Sequence, residues 1–232
     1  YLMGGVVVDV ETRTSLAGLY VAGEDAGGAH GSNRLGGNGV ANSTVYGGIA
    51  GDVMAADAQK MSALHDPDET ILDEELARAI IPFSAKPGNV QELRVRLMDA
   101  MWDDVGVMRD AAGLKLGIEK IASLKTDMEN VGVSADNLAF NLSWHDWLSL
   151  QSLIDTSEVI AKAGLSRENS RGAHFREDFP DAGSLDDSYF TIATSGDKGI
   201  EVSRESVKFT IVKPGESLLG ADEAETLVEA AQ

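Results

Sequence analysis

The sequence predicts an α+β chain that is mainly helical, and three observations carry that expectation. Long segments between residues 38 and 163 repeat apolar positions at helical spacing. Short runs of branched residues bounded by glycine lie near both ends. A break holding Pro87 and Gly88, over 84–89, separates two regions of different character.

Taken in order, 6–10 and 19–22 are expected to be strands, because branched and aromatic residues gather there between glycine and polar breakers. The polar turn 11–15 joins them. Residues 38–59 read as a helix: Val40, Val45, Ile49 and Val53 recur near a helical period, with small residues between them. Gly47, Gly48 and Gly51 each lower its intrinsic propensity by up to ~1 kcal/mol, so a helix kept here is expected to be buried against something. Asp66, Pro67 and Asp68 signal entry into an acidic helix that should end before Pro82.

Beyond the break, 90–112, 114–131 and 144–163 are expected to be amphipathic helices. The first carries Leu93, Leu97, Met101 and Val105, the second Leu114, Ile118, Ile121 and Leu124. With such short connections, an antiparallel three-helix bundle is the economical packing. In the tail, 189–193, 200–203 and 207–212 alternate or branch like strands of a small terminal sheet. The last segment, from Ala221, is acidic and alanine-rich, a terminal helix or disorder. This reading divides the chain into 1–83, 84–166 and 167–232.

Composition narrows the function classes. The chain has 232 residues, 43% hydrophobic and 25% charged, enough to bury a real core. A net charge of -19 repels polyanions and disfavours nucleic acid and anionic membranes as partners, while leaving room for a local basic pocket. Without cysteine there are no disulfides, thiolate metal sites or iron–sulfur ligands in this sequence. No run approaches the roughly 20 apolar residues of a membrane span, so direct insertion is not expected. The opening residues enter a branched run at once, unlike an initiator-led start or a flexible tail, and the sequence is expected to be the C-terminal part of a longer polypeptide.

The residues with chemical capacity concentrate between 18 and 42. Arg34 offers a planar, permanently charged fork suited to a carboxylate, which lysine does not reproduce. Glu24 follows an apolar run and a glycine, where its carboxylate can accept from a ligand hydroxyl or a backbone loop. Gly36, Gly37, Asn38, Gly39 and Val40 open a helix and leave free N–H groups at the positive end of its dipole. His30 either orients this loop or touches a ligand. Later in the chain, Arg167, Arg171, His174 and Arg176 stand beside Glu168, Glu177 and Asp178, as a salt-bridge network or as a solvated charged turn. Gly172 is expected to permit a close backbone approach. His65, His145 and His174 are too dispersed for a metal site, and none is assigned.

Four blocks carry a family resemblance: Met3 with Gly4 and Gly5, then 18–24, 30–38 and 168–180, with the helical region between them in matching order. Together they resemble the flavoprotein subunits of succinate dehydrogenase and fumarate reductase, with L-aspartate oxidase as a close relative. The resemblance implies the C-terminal piece of an FAD-binding domain, then a helical bundle and a small terminal β segment. It implies FAD as cofactor of the parent protein and hydride transfer between a dicarboxylate substrate and flavin. Arg34 would clamp a substrate carboxylate and His30 would be a second substrate contact. Glu24 would meet FAD, as would the helix start from Gly36 through Val40, with the backbone of Gly39 and Val40 against the flavin.

The sequence departs from the family pattern in Gly39 and Val40, where Ser and Leu are usual, and in Asn42, where an acidic residue is common. The resemblance puts a substrate histidine just before Tyr1, and assigns the dinucleotide fold and the proton-shuttling arginine of the capping domain to segments outside this sequence. The chain by itself is therefore expected to supply no catalytic residue, to lack stable FAD and to be inactive. The implied partners are the N-terminal FAD-binding and capping domains and an iron–sulfur subunit, at the cytoplasmic face of a membrane through partner subunits. Two alternatives stand beside this reading: a non-catalytic docking and assembly module, and an L-aspartate oxidase-like enzyme. Gly36 and Gly37 favour the succinate/fumarate branch over the latter.

Overall fold

The computed structural model describes residues 1–64, 66–134, 136–196 and 199–217. His65 and the segment from Ala221 lie outside the described residues. The fold is α+β and mainly helical, with α1 (Asn38–Lys60), α2 (Glu69–Ser84), α3 (Val90–Asp103), α4 (Ala111–Glu129) and α5 (Leu142–Ser166). The strands are short: β1 (Met108–Arg109), β2 (Phe175–Arg176), β3 (Tyr189–Gly196) and β4 (Gly199–Ser206).

The apolar positions that recur in the middle of the chain meet in one core built from α3, α4 and α5. Leu93 and Leu97 of α3, Leu114, Ile121 and Leu124 of α4, and Trp147, Leu150 and Ile154 of α5 are all buried in it. Burying a side chain of this size contributes roughly 1.5–3 kcal/mol, so this cluster is the main source of cohesion in the described chain. The one polar atom of Trp147 is satisfied within it, since its indole N–H donates to Val131 O at 2.8 Å. Each of these three helices starts on a side-chain cap: Asn89 accepts from Glu92 N, Asp110 from Gly113 N and Asn141 from Trp144 N.

Several boundaries differ from expectation. The helix expected over 90–112 ends at Asp103, and Gly106 makes the turn that follows. A Cβ at Gly106 would lie 2.3 Å from Trp102 O. Val105 is nevertheless buried at 2% exposure, so its place in the apolar period reflected burial and not helix. The helix expected to stop before Pro82 runs through it to Ser84. Donors from outside hold its last turn: Trp144 Nε1 donates to Ala79 O at 2.7 Å and Val133 N to Pro82 O at 3.0 Å.

The strands expected at 6–10 and 19–22 shrink to isolated bridges, Val6 with Ala26 and Arg13 with Tyr20. The cause is local: Asp9 Oδ1 accepts from Glu11 N and Arg13 N, which turns the chain before a ladder can extend. Val7 and Val10 are left exposed. Helix α1 is also more exposed than expected, with Val40 at 77% and Val45 at 58%. It is tied to the N-terminal turn by Asp57, which accepts from Arg13 Nε at 3.0 Å and Tyr20 OH at 2.8 Å. Those bonds, Tyr20 first and then Arg13 and Lys60, hold the Asp57 carboxyl down at about 2.

In the tail, β3 and β4 form an antiparallel hairpin in the register Tyr189 to Ser206 through Gly196 to Gly199. The third strand expected at 207–212 does not form; Val207 N adds a single bond to Ser188 O and the chain leaves the sheet. A strand pairing unforeseen in the sequence, β1 with β2 in parallel, joins the end of α3 to the late charged block. No described helix is long and apolar enough to cross a membrane.

Candidate functional site

The site is built on the loop between the 3-10 turn Gly23–Asp25 and the start of α1. Gly37 is the N-cap residue of α1 and takes φ 81°, a left-handed conformation that disfavours side chains, and it supplies no capping group. The helix therefore opens with Asn38, Gly39 and Val40 and no side-chain cap, as the spacing of glycines suggested. Gly36 and Val40 are both exposed there.

Arg34 is brought to this helix start by its own backbone, whose N–H contacts Met3 Sδ at 2.9 Å. Its guanidinium lies 4.7 Å from the ring centre of Tyr1, and Nη1 donates to Leu35 O at 3.3 Å. Arg34 makes no ion pair among the described residues, and its Nε is buried without a partner. A permanently charged fork with an unused buried donor is equipped to take an anionic acceptor.

His30 stands beside it. The Tyr1 and His30 rings meet edge to face at 5.1 Å, with Tyr1 OH 3.0 Å from His30 Nε2. Asn42, at 6% exposure, aims its amide into the same cluster, with Nδ2 3.0 Å from His30 Nε2 and 3.2 Å from Gly23 O. Because an amide nitrogen only donates, His30 Nε2 is the acceptor and the neutral ring carries its proton on Nδ1. Asn42 Oδ1 is buried and unpartnered. The site thus holds two orphaned polar atoms, one donor and one acceptor.

Tyr1 and Asn42 are central to this cluster, and sequence reasoning gave neither a role in it. The available signal was a polar residue one turn into an apolar, small-residue helix, which needs a buried partner. Gly39 has a reason as well: a Cβ there would lie 3.0 Å from Tyr1 Cε2 and 3.5 Å from Arg34 Nη1, so glycine lets both side chains lie against the helix start. Glu24 is placed differently from the others. Its exposed carboxylate accepts from Leu2 N at 2.9 Å and holds the first residues against the 3-10 turn.

The late block reaches the same loop through backbone. Ala173 N donates to Ser32 O at 3.0 Å, and Gly172, at φ +57°, comes so close that a Cβ would lie 2.3 Å from Ser32 O. Gly172→Val is expected to destabilise the protein by about 2 kcal/mol or more, combining left-handed strain with a backbone clash, as read by denaturant unfolding. Gly183→Val, at φ +68° in the same left-handed region, where only Arg171 Nη2 comes within 4 Å of a Cβ, is the control for strain alone.

The arginines of this block mostly bond carbonyl oxygens and not the neighbouring carboxylates. Arg171 donates to Ala182 O and Ser184 O, and Arg167 to Tyr189 O. Only Arg176 pairs with an acid of the block, Asp178, at 2.7 Å. His174 is half-buried between arginines. Burial pushes its imidazole below the ordinary value of 6.5; the bond to Arg167 O works the other way, and the charges of Arg109, Arg167 and Arg176 add to the lowering.

Residues 94–218 match the family model described as fumarate reductase flavoprotein C-term, and 1–40 match that of an FAD binding domain. The chain is 36% identical over 183 residues to a fumarate reductase (CoM/CoB) subunit of Methanothermobacter marburgensis, covering 78% of this chain and 32% of that one. It is 30% identical over 226 residues to a fumarate reductase flavoprotein subunit of Haemophilus influenzae, covering 96% and 38%. Among solved structures it is similar to an E. coli quinol fumarate reductase chain, with a TM-score of 0.85 and 26% identity over 93% of this chain and 38% of that one. The chain thus spans about a third of the length of the curated relatives it matches.

Proposed function

This chain belongs to the succinate dehydrogenase and fumarate reductase flavoprotein family, of which it is a C-terminal portion, and from that membership we propose that its protein is an FAD-dependent oxidoreductase interconverting succinate and fumarate. The observation that carries the reading is Arg34: a guanidinium without an ion pair among the described residues, with a buried unused donor, beside a helix start with no side-chain cap. Arg34 binds one carboxylate of the dicarboxylate through its fork, and Tyr1 beneath the guanidinium restricts how that fork can turn. His30, held by Tyr1 and Asn42, presents its remaining ring N–H as a second orienting donor.

The N–H groups at Gly39 and Val40 stabilise electron-rich flavin atoms through the positive helix end, and Asn42 Oδ1 offers an acceptor. Glu24 holds the first residues against the 3-10 turn and would be a further polar contact for FAD. When bound, FAD supplies the electron chemistry by accepting or releasing a hydride. The N-terminal FAD-binding and capping domains supply the rest of the site, and an iron–sulfur subunit carries electrons onward. Within this chain, 1–83 completes the flavin domain, 84–166 is the helical domain and 167–232 is a C-terminal tail whose turn 171–174 meets the first of them at Ser32.

The full-length protein is expected to hold FAD and to reduce a dye with succinate or oxidise a reduced dye with fumarate, whereas this chain expressed alone does neither. Full-length protein that binds FAD and turns over neither acid would overturn the substrate assignment. The exposed apolar residues of α1 support a second reading, a docking module without catalysis. Stoichiometric flavin together with turnover in the full-length protein would remove it.

A further inference from the structure

The turn that touches Ser32 is held by the side chains at both of its ends: Arg171 donates to Ala182 O, Ser184 O and Ser188 Oγ, and His174 bonds in two directions. Arg109 Nη1 donates to His174 Nδ1 at 3.0 Å, and His174 Nε2 meets Arg167 O at 3.1 Å. A guanidinium only donates, so Nδ1 is the acceptor and the proton sits on Nε2, which donates to the Arg167 carbonyl. Both ring nitrogens are thus used, and in the one tautomer that suits both partners. Those partners come from separate elements, since Arg109 is in β1 and Arg167 follows α5. The turn itself is closed by Arg171 N to His174 O at 2.9 Å and His174 N to Arg171 O at 3.0 Å. Its outward side is Gly172 and Ala173, in contact with Ser32 O, two residues from both His30 and Arg34.

We propose that His174 is a positioning residue for dicarboxylate binding: through the turn 171–174 it fixes the Ser32 carbonyl and thereby the loop that carries His30 and Arg34. The proposal rests on the reading of Arg34 given above for its link to substrate, but the mechanical link from His174 to Ser32 does not.

The arrangement has a pH dependence of definite sign. The charged groups facing the imidazole are Arg109 from β1, Arg167 from the end of α5 and Arg176 from β2, all positive, and the nearby Asp178 is engaged by Arg176. A proton added at Nδ1 would set a donor against the Arg109 donor and a fourth positive charge among three. The folded state favours the neutral ring, so the tie is complete above about 6.5 and weakens as pH falls below that value, where the unfolded turn binds the proton more readily.

The test is hydrogen exchange on the full-length protein, corrected for the intrinsic pH dependence of exchange, followed at the Ala173 amide and over 30–36. His174→Leu should lower protection there by about tenfold, the scale of one hydrogen bond to a charged group, and leave the α3 to α5 amides unchanged. His174→Asn keeps an acceptor near the Nδ1 position and should lose less. The unmodified protein should show a similar local loss as pH falls below about 6.5, and the asparagine variant should not. Unchanged protection in both variants, or the same pH response in the asparagine variant as in the unmodified protein, overturns the proposal. Should His174→Leu fail to fold, the pH series and the asparagine variant still decide.

KM separates the two readings. His174→Leu should raise KM for the dicarboxylate with flavin content unchanged, and should have a smaller further effect once Arg34→Ala is present, that of the loop's remaining contact through His30. If protection falls as expected while Arg34→Ala leaves KM untouched, the tie from His174 to Ser32 stands and the substrate role of Arg34 fails. If Arg34→Ala raises KM and His174→Leu does not, the positioning role fails and the clamp stands.

Discussion

Replacing Arg34 with alanine in the full-length protein is expected to lower kcat/KM for the dicarboxylate by two to three orders of magnitude while flavin absorbance is retained. Removing one partner of a close, desolvated charge pair costs about 2–5 kcal/mol, and each 1.4 kcal/mol is about a factor of ten. The middle of that range, not its lower end, applies because the fork geometry is lost together with the charge. Arg34→Lys restores the charge without the planar fork and should recover only part of the activity. The guanidinium is already oriented by the Tyr1 ring and Leu35 O, so alanine also leaves that ring without its cation. Steady-state kinetics with succinate and with fumarate, normalised to bound flavin, check the expectation. Unchanged kinetics would take Arg34 out of the substrate role.

Arg176→Met is expected to be the most destabilising substitution of a charged residue. The side chain is 1% exposed, and Nη1 donates to Gly164 O at 3.0 Å, Leu165 O at 3.1 Å and Arg167 O at 3.2 Å. Those carbonyls lie at the C-terminus of α5, where the last turn has no intrahelical donors and the dipole is negative. Arg176 therefore serves as a buried cap as well as the partner of Asp178. Methionine fills much of the volume but leaves these acceptors unmatched, at a cost of about 3–5 kcal/mol. For a chain of this size that corresponds to a fall in Tm on the order of 10 °C, which a thermal melt would register. The Arg176 hydrogen bonds hold the Asp178 carboxyl down at about 2, so this link is intact above 3.8 and is lost as pH falls toward 2. The variant should lose that acid dependence as well as stability. A melt within a few degrees of the unmodified protein would show that the C-terminus of α5 needs no such cap.

Much of the candidate site was legible because its residue types are rare in combination. An arginine and a histidine in a glycine-rich loop, followed by glycines at a helix start, marked the segment that the fold gathers into one cluster. Less was legible where a signal had two causes. Val105 continued an apolar period without being helical, because burial in a turn and burial on a helix leave the same mark in sequence. Pro82 read as a stop, yet Trp144 and Val133, from elsewhere in the chain, donate to carbonyls of its turn and let the helix pass through it. The strands expected near the start shrank to single bridges because the Asp9 side chain takes up the backbone N–H groups of Glu11 and Arg13 and turns the chain, a competition that a branched run does not announce.

By itself the sequence determined the class of the protein: helices where apolar residues recur at helical spacing, one core from α3 to α5, and a loop carrying Arg34 and His30 ahead of an uncapped helix. These are local properties, set by side-chain type and spacing. Only the tertiary structure decided that Tyr1 and Asn42 complete the cluster, that Gly172 and Ala173 press on Ser32, and that His174 joins Arg109 to the Arg167 carbonyl. Those contacts join residues far apart in the chain through backbone groups that every residue carries. No feature of sequence distinguishes the carbonyl that will be used until the fold has chosen which segments meet.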